Sequence, residues 1–482
     1  MDERLRRRTP RPRTAVANSD VAREIRDHRE RPTTDDAWSG RYGDAPPIDL
    51  HDANDLYSSA RFDHFSVFPP RRHHGVAWAL LRFAKRWLDA TRQRGTAARW
   101  SSPKRSVLFF VHSENQFQAV EPVARRLEDS VVMGDGAPGE TPFPRWRAFA
   151  RALRPANLRH LSKCFASSDH RGRRAIRLRL DDYLLTQGYL SVASEILATS
   201  QPRLVVLAND HNMQSRTFLH AARRAGIRTA YLQHASVTER FPPLAFDLSF
   251  LDGLDSAQKY ARADNPVVGD VFLTGIAKAD PVRREAADRG GSVRTVGICV
   301  NLLDATGDVV SAIATLKKLR PELDFVLRPH PRDRRNWERH VELAVSRSET
   351  SFEFLAKVDA IVSGPSNIIL EAALAGVAPV FLDYSGRAGD NYGFVATGLC
   401  PHAASPVDAA SLLQPSAVAA LLKRTVTVLR RYCASVGTRY DGRVGEAIAD
   451  LVRQELAGGI DLAAWRRLDD PPGLRPYGWR EP

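Results

Sequence analysis

The residues best equipped for chemistry follow two apolar segments in the C-terminal half of the chain. The segment 325–327 runs directly into Arg328-Pro-His330-Pro, which places a guanidinium and an imidazole at its end. A second apolar segment ends in residues 363–367, Ser-Gly-Pro-Ser-Asn, and the helix predicted after it carries Glu371. Ligands of open α/β sheets bind outside the carboxyl ends of the strands, and helix N-termini attract anions. The spacing therefore predicts one crevice that holds a nucleotide phosphate and the sugar attached to it.

Two prolines shape the first of these motifs. Pro329 and Pro331 lack the backbone N–H that strand pairing needs, so the chain must leave the sheet there in a stiff loop. We interpret Arg328 as a phosphate clamp, because a guanidinium matches phosphate oxygens in a bidentate manner. We interpret His330 as a phosphate contact or an acid–base group. The alternative is a structural turn with a capped imidazole.

The second motif combines a glycine, two hydroxyls and a carboxylate. Gly364 allows the backbone to approach a ligand closely, and Ser366 is expected to be the N-cap of the following helix. Together with Ser363, Asn367 and the first helical N–H groups, these residues suit a phosphate. Glu371 lies among apolar residues and needs a polar partner. A ribose diol would satisfy it; the alternative is an ion pair with a neighbouring arginine.

The N-terminal half offers candidates for a general base. Asp210 and His211 follow the apolar segment Leu204–Leu207, and His234 follows the next one. Imidazole titrates close to neutral pH and is suited to removing a proton from an acceptor hydroxyl. His234 or His211 could be that base, and Asp210 could act itself or orient a histidine. The alternative is that all three are turn caps or satisfied loop side chains.

Metal and disulfide chemistry are not expected. No pair of carboxylates separated by one residue stands at a predicted strand end, so no metal is predicted at the donor phosphates. The four cysteines show no paired spacing, which favours reduced thiols. No cofactor is predicted beside the nucleotide-sugar substrate, whose base (CMP, CDP or UDP) the residues do not distinguish.

Composition limits the class of protein and of partner. The 482 residues are 43% hydrophobic and carry a net charge of +14, which is typical of a globular protein that meets anionic partners. The charged N-terminus has no signal-peptide core, and no apolar run is long enough to span a bilayer, so we expect a cytoplasmic location. Residues 75–96 predict a basic amphipathic helix, which either packs on its own domain or lies in a membrane interface.

Strand and helix patterns alternate from residue 106 onward, which predicts parallel sheets and an α/β fold with two Rossmann-like domains. Predicted helices include residues 337–344. The expected organisation is a disordered basic tail at 1–45, an N-terminal helical region at 46–105, an acceptor domain at 106–280, a linker at 281–292, a donor domain at 293–435, and a C-terminal segment at 436–482 that packs back across the domains.

Several motifs resemble those of bacterial glycosyltransferases of the GT-B fold. These motifs are Gln233-His234, Thr-Gly-x-x-Lys-x-Asp at 274–280, Arg-Pro-His-Pro at 328–331, and the Ser and Glu-Ala pattern at 363–379. They are similar to motifs of capsule polysaccharide transferases, polysialyltransferases and the glycerophosphotransferases of teichoic acid synthesis. The resemblance covers about residues 106–435. It implies a metal-independent transferase in which His330 contacts the donor phosphate, while Ala235 replaces a glycine found in many relatives.

The function predicted from these features is transfer of a sugar from a nucleotide-activated donor to a surface polysaccharide or lipid-linked acceptor, at the inner face of the cell membrane. One alternative is a glycerophosphotransferase-type polymer synthase. Another is a hydrolysing nucleotide-sugar 2-epimerase, for which Asp135, Asp210 and Glu239 would supply carboxylates. The third is a non-enzymatic scaffold or a nucleic-acid binder, although nucleic acid is not the expected partner. Contact with an anionic membrane through the basic N-terminal region is a further expectation.

Overall fold

A computed structural model describes most of the chain after its N-terminal tail. The described residues are 49–54, 75–92, 104–136, 138–261, 267–285, 293–386, 389–462 and 474–476. The tail predicted at 1–45 and most of the linker predicted at 281–292 lie outside them. The linker's first residues belong to a short helix, Asp280–Glu285.

Eight parallel strands form the first sheet, in the spatial order β13-β7-β6-β5-β4-β1-β2-β3. Between β3 and β7 this is the Rossmann order, in which the chain reverses direction across the sheet between β1 and β4. The strands are β1 (Val107–Val111), β2 (Ser130–Gly134), β3 (Thr141–Pro142), β4 (Leu204–Leu207), β5 (Arg228–Leu232), β6 (Ala245–Leu251), β7 (Val268–Leu273) and β13 (Leu474–Pro476).

Five parallel strands form the second sheet, in the order β10-β9-β8-β11-β12. Its chain reversal falls between β8 and β11. The strands are β8 (Thr295–Val300), β9 (Asp324–Pro329), β10 (Ala344–Val345), β11 (Ala360–Ser363) and β12 (Ala378–Phe381). The expected α/β fold with two Rossmann-like domains is thereby confirmed.

Helices connect the strands, as parallel pairing requires. In chain order they are α1 (Leu50–Ala53), α2 (Val76–Arg92), α3 (Glu114–Ala124), α4 (Arg145–Ala152), α5 (Pro155–Ser167), α6 (His170–Leu178), α7 (Leu180–Ser200), α8 (Met213–Arg224), α9 (Leu254–Tyr260), α10 (Asp280–Glu285), α11 (Thr306–Leu319), α12 (Ser351–Leu355), α13 (Ile368–Leu374), α14 (Pro406–Leu412), α15 (Pro415–Tyr432) and α16 (Val444–Ala457).

The central strands are buried on both faces, which explains why they are continuous apolar runs rather than alternating ones. On one face of the first sheet Phe110 stacks on Phe218 of α8 at 4.1 Å between ring centroids. Helix α16 follows the second domain in the chain but packs on the other face of the first sheet, where Ile448 and Val452 are buried. The C-terminal segment therefore contributes to the first domain as well.

One predicted element is wrong. The helix expected over 337–344 is a single 3-10 turn, Trp337–Arg339, and the chain then enters β10. The reason is tertiary: Ala344 and Val345 pair with β9, and the Trp337 indole donates to Asp333 Oδ2 at 3.0 Å. Burial and strand pairing outweigh the weak helical preference of this segment.

Candidate functional site

The first candidate centre lies where the first sheet reverses, at the ends of β1 and β4. Strand β4 continues into Asn209, Asp210 and His211, and β1 continues into His112. Strands β1 and β4 are directly paired. Ligands of Rossmann-like sheets bind at this reversal point, because the flanking loops diverge and leave a crevice.

Asp210 and His211 form an oriented pair. The Asp210 Oδ1 atom lies 2.8 Å from His211 Nδ1, and the Tyr260 hydroxyl donates to Asp210 Oδ2 at 2.6 Å. The carboxylate is buried, and the ring of His211 lies 4.6 Å from that of Phe241. With Nδ1–H directed at the carboxylate, the imidazole presents Nε2 as its basic atom. Asp210 therefore orients His211.

His234 lies at the end of the neighbouring strand β5, but in a drier environment. Burial lowers the pKa of His234 to about 3, and the nearby charges of His211 and Lys278 act in the same direction. Its Nδ1 atom is buried without a hydrogen-bond partner among the described residues, as is the Ser236 hydroxyl two residues later. The imidazole of His234 is therefore neutral at neutral pH and is a weak base.

A second aspartate–histidine pair stands beside the first. His112 Nδ1 lies 3.0 Å from Asp135 Oδ2, at the ends of β1 and β2. Asp135 is fully buried and also receives the Tyr189 hydroxyl at 3.0 Å, and Arg145 Nε lies 3.0 Å from its other oxygen. Burial alone would raise the pKa of Asp135, but His112 and Arg145 outweigh it and hold the pKa below the ordinary value.

The second candidate centre lies at the reversal of the second sheet, between β8 and β11. Gly364 follows β11, and a side chain there would come within 3.5 Å of Asn301 Nδ2 and Asp304 Oδ1, which follow β8. Asn301 Nδ2 is buried without a partner among the described residues. Burial is the main reason why the pKa of Asp304 rises to about 6. Gly364 therefore lies directly against the side chains that follow β8.

His330 follows β9, next to this centre. Its Nδ1 accepts a hydrogen bond from the Arg332 backbone N–H at 3.1 Å. Burial, together with the Arg332 charge, lowers the pKa of His330 and keeps the ring neutral at neutral pH. A neutral ring whose Nδ1 accepts carries its proton on Nε2, so His330 can donate to a phosphate oxygen.

Arg328 contacts residues of its own domain that follow β10. Its guanidinium donates to the Ser346 hydroxyl at 2.9 Å and to the Glu349 carbonyl at 2.7 Å, and it lies 5.0 Å from the Phe354 ring centroid. These contacts connect β9 to the segment after β10. The phosphate-clamp role remains a prediction, and the described contacts favour a structural role.

The hydroxyls after β11 are placed differently from one another. Ser363 is buried and its hydroxyl donates to the Gly364 carbonyl at 3.0 Å. The expectation that Ser366 caps the helix is wrong, because Asn367 occupies the N-cap position and no side chain caps α13. Asn367 has helical backbone angles, and its side chain turns toward the first domain instead. Helix α13 has only seven residues, so no anion site is inferred from its N-terminus.

A buried cluster joins the two domains at these centres. Lys278 Nζ lies 2.6 Å from Glu371 Oε1 and 2.9 Å from Asn115 Oδ1. Asn367 donates to Glu371 Oε1 at 3.1 Å and accepts the Ser236 backbone N–H at 3.0 Å. The carboxyl ends of the two sheets therefore meet. Glu371 has a lysine rather than an arginine as its ionic partner, and its ribose role remains a prediction.

Sequence reasoning missed four residues of this arrangement. His112 carried the same signal as His211, a polar residue directly after a buried strand. Lys278 lies in the Thr-Gly-x-x-Lys-x-Asp motif at 274–280, but the sequence did not indicate its contact with Glu371. Asn115 and Tyr260 carried no signal, because their roles depend on partners 163 and 50 residues away in the chain.

Neither a metal-binding cluster nor a membrane-spanning helix is present in the described part of the chain. No three or more His, Cys, Asp or Glu side chains there are grouped so that they could hold a metal ion. None of the described helices is both long and apolar enough to cross a membrane.

Two parallel Rossmann-like sheets that meet at their carboxyl ends define this chain as a two-domain α/β protein of the GT-B type. No protein-family model and no curated protein sequence matches it. Solved structures that resemble it include a Listeria monocytogenes protein named as a UDP-N-acetylglucosamine 2-epimerase, with 14% identity, a TM-score of 0.48, and coverage of 73% of this chain and 96% of that chain.

Two further likenesses are of similar strength. The UDP-GlcNAc 2-epimerase of Neisseria meningitidis bound to UDP-GlcNAc is 13% identical, with a TM-score of 0.43 and coverage of 71% of this chain and 98% of that one. The wall teichoic acid polymerase TagF is 10% identical, with a TM-score of 0.46 and coverage of 79% and 97%.

Proposed function

We propose that the protein is a glycosyltransferase that moves a sugar from a nucleotide-activated donor to a hydroxyl of a surface polysaccharide or glycolipid. The observation that carries the proposal is a set of three buried polar atoms at the meeting point of the two sheets. His234 Nδ1, the Ser236 hydroxyl and Asn301 Nδ2 have no hydrogen-bond partner among the described residues. Because such groups are costly to bury unpaired, a polar ligand that spans both centres would stabilise them.

In this proposal the second sheet holds the donor. The nucleotide phosphates lie between Gly364 and His330, and the uncharged His330 donates from Nε2 to the oxygen that leaves with the phosphate. This donation strengthens as negative charge develops on that oxygen, which is the condition for lowering the barrier. The Ser366 hydroxyl, half-buried beside Gly364, is available as a further donor to the phosphate.

The first sheet activates the acceptor. His211 Nε2 removes the proton from the acceptor hydroxyl, whose oxygen forms the new bond to the anomeric carbon as the bond to the phosphate oxygen breaks. Asp210 stabilises the imidazolium through Nδ1–H, and Tyr260 holds Asp210 in place. We assign the base role to His211 rather than His234, because a pKa of about 3 makes His234 too weak a base.

The donor half of the proposal is tested by thermal shift and calorimetry with CMP, CDP, UDP, GDP and their sugars. One nucleotide should stabilise the wild type, and His330→Asn should lose at least tenfold in affinity for it. His340→Asn, which changes an exposed histidine of the same domain, should bind like the wild type. Failure of a folded wild type to bind any nucleotide would refute the proposal and favour a scaffold.

One observation supports a second candidate, the hydrolysing 2-epimerase. That reaction needs carboxylates at the strand ends of the first domain, and both Asp135 and Asp210 lie there, each beside a histidine. The two functions differ in their need for an acceptor. Release of free nucleotide together with an epimerised sugar, without any acceptor, would establish the epimerase, whereas strict dependence on a glycan acceptor would establish the transferase.

A further inference from the structure

Helix α2 is held firmly on the first domain by one of its faces. Phe83 is buried, and its ring centroid lies 5.1 Å from that of Phe149. Arg82 Nη2 lies 2.8 Å from Asp181 Oδ1 and Arg86 Nη1 lies 2.8 Å from Asp182 Oδ1. Both carboxylates are buried at the start of α7. The position and rotation of α2 are therefore fixed by the fold.

The opposite face of α2 is exposed and apolar. Of the thirteen large hydrophobic side chains that are exposed in the described residues, six belong to this one helix, at 38–59% exposure: Val76, Trp78, Leu80, Leu81, Trp87 and Leu88. At about 100° per residue, most of them fall on one continuous arc, which ends at Lys85 and Arg92. The helix is therefore apolar on an exposed arc as well as at Ala79, Phe83 and Ala90, which pack on the domain. The described fold covers only one side of α2.

The helices that follow β3, two of which pack against α2, are strongly basic. Residues 145–180, which form α4, α5 and α6, contain eleven lysines and arginines and one acidic residue, a net charge of +10 in a chain whose total is +14. Seven of these cations are exposed: Arg154, Arg159, Lys163, Arg171, Arg173, Arg174 and Arg177. Helix α2 contacts α6 through Arg82, which donates to the Leu178 carbonyl at 2.7 Å. Helix α2 also packs against α4, so it forms one helical layer with the basic helices of this domain.

We propose that this layer docks on an anionic phospholipid membrane, with the apolar arc of α2 in the interface and the cations of α5 and α6 above the headgroups. Tryptophan at the edge of an apolar helix face is typical of interfacial anchoring. Each basic residue near the surface adds to the attraction of an anionic leaflet. Nucleic acid would use the cations, but it would leave the four aliphatic side chains in water. The surface is independent of the proposed activity.

Sedimentation with vesicles tests this proposal on the full chain. The protein should bind vesicles that contain phosphatidylglycerol much more strongly than vesicles of pure phosphatidylcholine, and 0.5 M salt should weaken the binding. Leu81→Ser with Leu88→Ser should reduce the affinity roughly tenfold or more, from the lost apolar burial. The control, Leu319→Ser with Val407→Ser, removes two equally exposed side chains from the second domain. It should bind like the wild type.

The charge contribution is tested in the same assay. Lys163→Glu with Arg174→Glu should reduce binding to anionic vesicles by on the order of a hundredfold, because each reversal changes the local charge by two units. Lys317→Glu with Lys318→Glu, on the exposed side of α11, is the matched control. The proposal is overturned if the wild type does not bind anionic vesicles, or if variants and controls bind equally. It is also overturned if the α2 variant only converts a dimer to a monomer, which would assign the face to a second copy.

Discussion

Replacing Lys278 by methionine removes the cation of the buried interdomain pair while keeping most of its volume. The side chains of Lys278 and Glu371 are only 6% and 9% exposed, and the remaining Glu371 contacts come from neutral groups. A buried carboxylate that loses its ion-pair partner costs about 3–5 kcal/mol. We therefore expect urea denaturation to show a loss of that size in the free energy of unfolding.

The contribution of Glu371 to the pH dependence of the free energy of unfolding should have opposite signs in Lys278→Met and in the wild type. In the wild type, burial would raise the pKa of Glu371, but Lys278 outweighs it and the pKa lies below 4.5. The stability that Glu371 contributes to the wild type is present above its unfolded pKa and is lost as the pH falls through its folded pKa. In Lys278→Met the cation no longer opposes burial, and only hydrogen bonds from neutral groups such as Asn367 do, so we expect the folded pKa of Glu371 to be raised. The variant should then gain stability between pH 7 and pH 5, because its folded state binds more protons.

Two further variants serve as controls for the effect of Lys278→Met. Lys357→Met breaks a pair of the same 2.6 Å length with Glu349, but there the side chains are 64% and 25% exposed, so the loss should be below about 1 kcal/mol. The double variant Lys278→Met with Glu371→Gln should recover most of the stability, since no buried charge remains. Equal losses in the two lysine variants, or no recovery in the double variant, would refute the reasoning.

Three further predictions concern aspartates. Asp210→Asn should lower the turnover of the proposed transferase by roughly 10²–10⁴-fold through misorientation of His211, with unchanged nucleotide binding in thermal shift. Asp304→Asn should raise the free energy of unfolding at pH 8 by up to about 3 kcal/mol. The folded pKa of Asp304, about 6, exceeds its unfolded value, so the ionised carboxylate destabilises the wild type above pH 6 but not well below pH 4. A pH-independent difference between pH 4 and pH 8 would contradict this prediction. Asp135→Asn should cost about 3 kcal/mol at pH 7, because Arg145 stays buried without its counterion. The pKa of Asp135 is lowered in the fold. The difference in free energy of unfolding between the wild type and Asp135→Asn should therefore narrow as the pH falls below about 4, which denaturation curves in the acid range would show.

Much of the fold could be predicted from local pattern. The strands near Leu204–Leu207 and Ala360–Ser363 are short apolar runs bounded by polar turns, and such runs can be buried on both faces only in a parallel sheet. The candidate residues after them were identified for the same reason: Asp210 and Gly364 stand where a strand must end. The failure at 337–344 came from a segment whose structure depends on pairing with β9 rather than on its own residues.

The sequence by itself determined which residues stand at the strand ends, because chain direction and apolar periodicity are local properties. Only the tertiary structure decided what each of them contacts. Lys278 lies 93 residues from Glu371, and Asp135 lies 23 residues from His112. Arg328 donates to the Ser346 hydroxyl, 18 residues away in the chain. Burial and long-range partners set the charge, orientation and availability of a side chain, and both exist only once the two sheets have been brought together.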